Sequence, residues 1–130
     1  MTTTDAARYA RVSTLLTDYA VHIDAREQRA WAELFLPDGV LEFGRRRTVG
    51  HEALEEFAAA SPPGIHLGGA PTIRESGDRL TVRSQFIFTP ADGTPGVSGS
   101  YVDVIVDDGE RARFVHRTIT IVSPARPERG

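Results

Sequence analysis

Residues 18–35 read DYAVHIDAREQRAWAELF, and the seam inside this stretch sets the plan of the chain. Upstream of it, Val12, Leu15, Leu16, Tyr19, Ala20 and Ile23 recur at steps of three and four, so they share one stripe of a helix. Downstream, Ala30, Trp31, Leu34 and Phe35 form the apolar side of a second, shorter helix, which Pro37-Asp38-Gly39 is expected to stop. Asp24 stands at the seam. With Glu27 three residues later it has the spacing of a capping box for the second helix. The same position, between two helices, also lets a carboxylate face an interior pocket.

Working outward, Asp5 is placed to cap the first helix, with Arg8 and Arg11 on its wet side. Beyond Gly39, VLEF reads as a short strand and GRRRTVG as a turn-rich, solvated loop. Gly50-His51-Glu52 opens a third helix with Ala53, Leu54, Phe57 and Ala58 apolar, and Ser61-Pro62-Pro63-Gly64 ends it. From residue 65 the period changes to two. Strands are expected at 65–74, 79–89, 97–106 and 112–122, with turns at Glu75-Ser76-Gly77-Asp78 and Asp107-Asp108-Gly109.

The faces of these strands can be separated. Leu80, Val82, Ser84, Phe86 and Phe88 share one side of the second strand. Val97, Gly99, Tyr101, Asp103 and Ile105 share one side of the third. In the fourth, Phe114, His116, Thr118, Thr120 and Val122 alternate with Val115, Arg117, Ile119 and Ile121. Neither face of the last two strands is wholly polar. That predicts a second covered face, including Val104, Val106, Ile119 and Ile121, and with it a homodimer or other homo-oligomer. Helices first and a mostly antiparallel sheet after them give an α+β fold with the helices on one face of the sheet. One domain spans 1–130, with flexible tails at about 1–4 and 124–130. A sheet curved around three helices leaves an open end lined by apolar side chains, a natural place for a small molecule.

Composition narrows the function. A net charge of -3 argues against a nucleic-acid partner. The chain has no cysteine, which removes disulfides and thiolate metal sites. No apolar run reaches the length of a membrane span and the start lacks a leader's apolar stretch, so a cytoplasmic protein without a membrane partner is expected. The four histidines are not spaced as metal ligands, and Gly68-Gly69 is not followed by a helix, so neither a metal nor a phosphate-bearing cofactor is expected.

Six short motifs then stand in register along nearly the whole chain. They are Tyr19-x4-Asp24, Trp31-x3-Phe35-x2-Asp38-Gly39, Gly50-His51-Glu52-Ala53-Leu54, Ile65-His66-Leu67, Gly99-Ser100-Tyr101-Val102-Asp103 and Phe114-Val115-His116-Arg117. On these the chain resembles the SnoaL-like branch of the nuclear transport factor 2-like superfamily, which includes scytalone dehydratase and ketosteroid isomerase. The resemblance implies a cone-shaped, curved sheet wrapped around three N-terminal helices. It places Asp24 where the dehydratases have a pocket aspartate and His66 where they have a catalytic histidine. The strand that carries their second histidine reads RLTVRSQFIFTP here and has none. Tyr19 falls where the isomerases bind an oxyanion, while Phe43 stands in place of their general base and Glu42 points the other way.

The resemblance therefore implies Asp24 and His66 as a catalytic pair. Histidine suits proton transfer near neutrality, and a neighbouring carboxylate fixes its tautomer. Tyr19, Trp31, Phe43, Phe57, Phe86, Tyr101 and His116 are the expected substrate-binding side chains. His116 has an alternative as a core histidine bonded to Asp103 or Tyr101, and Arg117 as an interface ion pair. The expected activity is cofactor-independent acid/base chemistry of dehydratase, isomerase or cyclase type. Its substrate would be a small hydrophobic oxygenated molecule, polyketide- or terpenoid-like. The alternative is a non-catalytic small-molecule-binding or accessory oligomerising protein.

Overall fold

A computed structural model describes residues 4–124, and the tails expected at the two ends lie mostly outside the described residues. Helix α1 runs Ala6–Asp24, capped by the Asp5 carboxylate, which accepts from the Arg8 N–H at 2.8 Å. Its stripe buries Val12, Leu15, Tyr19 and Ile23. Arg8 and Arg11 do not face water as expected. Both guanidiniums bind Asp107, Arg11 through two bonds of 2.7 and 2.8 Å, and Arg8 also binds Glu75.

The capping box does not form. Asp24 is the last residue of α1, and the chain reverses at Arg26, a non-glycine residue at φ 64°. Helix α2, Gln28–Ala32, has Glu27 at its N-cap position without a side-chain cap bond, because the Glu27 carboxylate reaches back to His22 Nδ1 at 3.1 Å. Phe35 already belongs to strand β1, Phe35–Phe43, so Pro37-Asp38-Gly39 lies inside a strand rather than stopping a helix. The pairing register of β1 shifts between Phe35 and Val40, and at such an irregularity the missing proline N–H leaves no ladder bond broken. The arginine-rich segment is likewise not a loop. Strand β2, Arg46–Val49, pairs antiparallel with β1 around a turn at Gly44, whose φ is 60°.

Helix α3, His51–Ala60, buries Leu54 and Ala58. His51 is not a free surface group, since its Nε2 lies 2.8 Å from the carbonyl of Phe35. Arg26 closes the other end of α3, donating to the carbonyls of Ala59 and Ser61 at 2.9 and 2.7 Å. Five further strands follow: β3 (Gly64–Gly68), β4 (Thr72–Ser76), β5 (Arg79–Pro90), β6 (Val97–Asp107) and β7 (Ala112–Ser123). The single strand expected at 65–74 is two, both laid against the long β5. The seven strands make one unclosed sheet in the order β2-β1-β7-β6-β5-β3, with β4 on β5; only β1 and β7 pair parallel.

One irregularity decides what faces the helices. Val104 pairs with His116 while Ile105 pairs with Phe114, so Val115 is an extra residue in β7. Alternation changes phase across it. Phe114, Arg117 and Ile119 are all buried, and Ile121 packs against the same core, whereas His116 turns outward and stands 3.4 Å from Glu42. Ile119 and Ile121 are therefore not part of an outer oligomer face, contrary to the strict period-two reading. The outer surface instead exposes Leu67, Ile87, Val102 and Val122. The expected faces of β5 and β6 stand: Leu80, Val82, Ser84, Phe86, Phe88, Gly99, Tyr101, Asp103 and Ile105 are buried.

Candidate active site

Asp24 and His66 meet because the end of α1 lies along the edge strand β3. A strand at a sheet edge has N–H groups without ladder partners. Asp24 satisfies one of them, its Oδ2 accepting the His66 backbone N–H at 2.8 Å. Its other oxygen lies 2.6 Å from His66 Nδ1. A carboxylate only accepts, so Nδ1 carries the proton and the neutral ring keeps its lone pair on Nε2. Phe88 supports the ring from one side, 4.5 Å between centroids. The two bonds hold the imidazole by its own backbone as well as by its side chain, which limits how far it can swing.

His66 lines a cavity of about 200 Å³ between the helices and the sheet. Helices supply Tyr19, Ile23 and Phe57; the sheet supplies Phe43, Phe86, Phe88, Tyr101, Ile119 and Ile121. The wall is apolar apart from His66, Ser61 and the two tyrosine hydroxyls. Burial pushes the Tyr19 phenol up to about 12 and raises that of Tyr101 as well. Both therefore stay protonated at neutral pH and act as hydrogen-bond donors, not bases.

Two expected binding residues lie elsewhere. Trp31 is fully buried behind the cavity, stacked on Phe57 at 5.9 Å, because α2 packs its side chain inward against α3. His116 is on the outer side of the sheet through the shift at Val115, where its partner is Glu42 and not Asp103 or Tyr101. The residue that takes the inner place is Arg117. It binds Asp103 through Nε and Nη2 at 2.9 and 3.2 Å, with both side chains almost inaccessible. Its guanidinium lies 3.4 Å from the Tyr101 ring centroid and 4.2 Å from that of Tyr19. Burial outweighs the pull of Arg117 and pushes the Asp103 carboxyl up to about 6. The inward place of Asp103 was visible in the alternation of β6; that of Arg117 was hidden by the bulge.

A family model for the SnoaL-like domain matches residues 4–118. The chain belongs to the SnoaL-like family. Among solved structures, this SnoaL-like protein is similar to a variant of Rv3472, a protein of unknown function from Mycobacterium tuberculosis. The two are 30% identical over 87% of this chain and 70% of that one, with a TM-score of 0.80. A candidate scytalone dehydratase from Novosphingobium aromaticivorans is 20% identical over 87% of this chain and 83% of its own, TM-score 0.74. A protein of unknown function with a cystatin-like fold from Nostoc punctiforme is 16% identical over 95% and 97%, TM-score 0.83. No curated protein matches the chain. Among the described residues of this SnoaL-like domain no three His, Asp or Glu side chains cluster as metal ligands, and no helix is long and apolar enough to cross a membrane.

Proposed function

We propose that this SnoaL-like protein is a cofactor-independent acid/base enzyme acting on a small, hydrophobic, oxygenated molecule, of dehydratase, isomerase or cyclase type. The observation that carries the reading is His66 in the wall of a mostly apolar cavity with Asp24 bonded to its Nδ1 from behind that wall. In such a reaction His66 Nε2 removes a proton from a carbon next to a carbonyl. Asp24 stabilises the imidazolium that forms. Tyr19 or Tyr101 donates to the oxygen on which charge develops. In an elimination the same imidazolium returns its proton to the departing hydroxyl, the C–O bond breaks and water leaves, so one histidine serves as base and then acid. In an isomerisation the proton goes back to another carbon. The fold shared with a candidate scytalone dehydratase agrees with the first form.

The test is a panel of hydroxylated ketones on one or two rings, with products followed by mass spectrometry. His66→Gln and Asp24→Asn are expected to lower turnover by about a hundredfold or more. Turnover that survives both substitutions would sink the reading. A binding protein without catalysis is the second reading, favoured by His66 being the only histidine in the cavity wall among the described residues. It predicts ligand binding with no chemical change, unaffected by His66→Gln.

A further inference from the structure

His66 borders three separate spaces. One is the apolar cavity. A second is an open groove on the far side of β3, between it and α1, walled by Thr17, Ala20, Leu67 and Gly69 among others. Between them lies a void of about 20 Å³. It shares Tyr19, Phe86 and Tyr101 with the cavity, Leu16, Ala20, Leu67, Gly68 and Gly69 with the groove, and His66 with both. Its remaining wall is polar, made by Ser84 and Arg117.

Two properties of this void point the same way. Its size exceeds the roughly 10–15 Å³ that one water needs, and it is too small for any larger molecule. Arg117 spends Nε and Nη2 on Asp103, whereas Nη1 is fully buried and meets no acceptor in good hydrogen-bond geometry among the described residues, the Tyr19 hydroxyl beside the guanidinium included. A buried charged donor left unpaired is costly, and a neutral acceptor is what it lacks. A second anion does not fit, because Asp103 already balances the guanidinium. Glycines stand where the void meets the groove, at Gly68 and Gly69, so no side chain there fills the gap between the two.

We propose that this void holds a single water on Arg117 Nη1 and Ser84, and that it connects the apolar cavity around His66 to the groove between α1 and β3. The site then has a solvent route separate from the opening through which the ligand enters. Its use in catalysis rests on the acid/base reading: a water eliminated inside an apolar cavity filled by product needs a way out, and His66 needs proton exchange with solvent while the ligand stays bound.

The test reads solvent access alone, so it stands or falls apart from turnover. Ile121→Trp fills the cavity, and Ser84→Thr adds one methyl group to the void at a strand position that tolerates it. The readout is deuterium exchange at the His66 ring carbon between the nitrogens, followed by mass spectrometry with His22 and His51 as internal references. Ile121→Trp alone is expected to leave His66 exchange within about twofold of the unsubstituted protein, and adding Ser84→Thr to slow it about tenfold. Exchange abolished by Ile121→Trp alone, or unchanged by Ser84→Thr in that background, overturns the proposal. A crystal structure of the unsubstituted protein serves as a second measurement that needs no variant to fold. A water within hydrogen-bond distance of Arg117 Nη1 is expected, and a void without one overturns the proposal.

Discussion

Arg117 is wedged between aromatic faces and bonded to one carboxylate, and everything near it is arranged around that charge. Removing only one member of such a pair leaves the other buried and unpaired, at a cost of about 3–5 kcal/mol, whereas replacing both by apolar residues of similar volume comes near neutral. Arg117→Met is thus expected to destabilise strongly, and Asp103→Leu with Arg117→Met far less, as measured by urea unfolding of the two singles and the double. Additive losses would show that the pair does not act as a unit. At Asp24 the same logic joins stability to function. Its carboxylate satisfies an edge N–H and fixes an imidazole, so the Asp24→Asn variant offered above for turnover keeps an acceptor for the backbone while losing the charge that supports an imidazolium.

At the scale of elements, α1 is fastened at both ends. Asp24 ties its last residue to β3, and Arg8 and Arg11 tie its first turns to Asp107 at the end of β6. Hydrogen bonds from Arg11 and Arg8 outweigh burial and hold the Asp107 carboxyl down to about 2, against an ordinary 3.8. A folded value below the unfolded one stabilises fully above about pH 4 and loses its effect as pH falls toward 2. Asp107→Asn is expected to raise the midpoint of acid unfolding by up to about one pH unit, followed by circular dichroism. An unchanged midpoint would show the fastening to be dispensable.

The elements also show where a sequence is readable. Strands β5, β6 and β7 stand within a residue or two of their expected bounds because long alternating runs are set by burial on one side. α2 and β1 differ from the expectation because Trp31, Leu34 and Phe35 fit a helical stripe, yet only the first of them is helical; Leu34 is buried from the turn after α2 and Phe35 from strand β1. The charges of Arg45-Arg46-Arg47 disguised a strand that faces water on one side. The Asp24–His66 contact, 42 residues apart in sequence, was legible only through resemblance, since no local pattern brings an α1 terminus to a β3 edge. Its alternative, the capping box, was a correct local spacing overruled by that tertiary bond.

For the whole molecule, Asp103 sets a pH dependence opposite to that of Asp107. Its folded value, pushed up by burial to about 6, lies above the ordinary 3.8. The native state therefore holds this proton more tightly than the unfolded chain, and stability falls as pH rises from about 4 to about 6, then levels off. Asp103→Asn is expected to flatten that decline in a series of melting temperatures against pH, while lowering stability throughout by weakening the bonds to Arg117. A decline that persists in the variant would assign it to another group. The cone thus keeps an apolar cavity between helices and sheet and an ion pair deep beneath it, with Tyr19 and Tyr101 forming the boundary between the two.

The extra residue at Val115 has a consequence for how this chain tolerates change. A saturation library read for folded protein normally shows every second position of a half-buried strand as intolerant. Along β7 that rhythm should stumble: Ala112 and Phe114 sensitive, then a step of three to Arg117, then Ile119 and Ile121. Sequence drift in related chains would keep the same limp, and deleting Val115 itself would remove the extra residue and leave a regularly alternating strand with every later side chain on its present face.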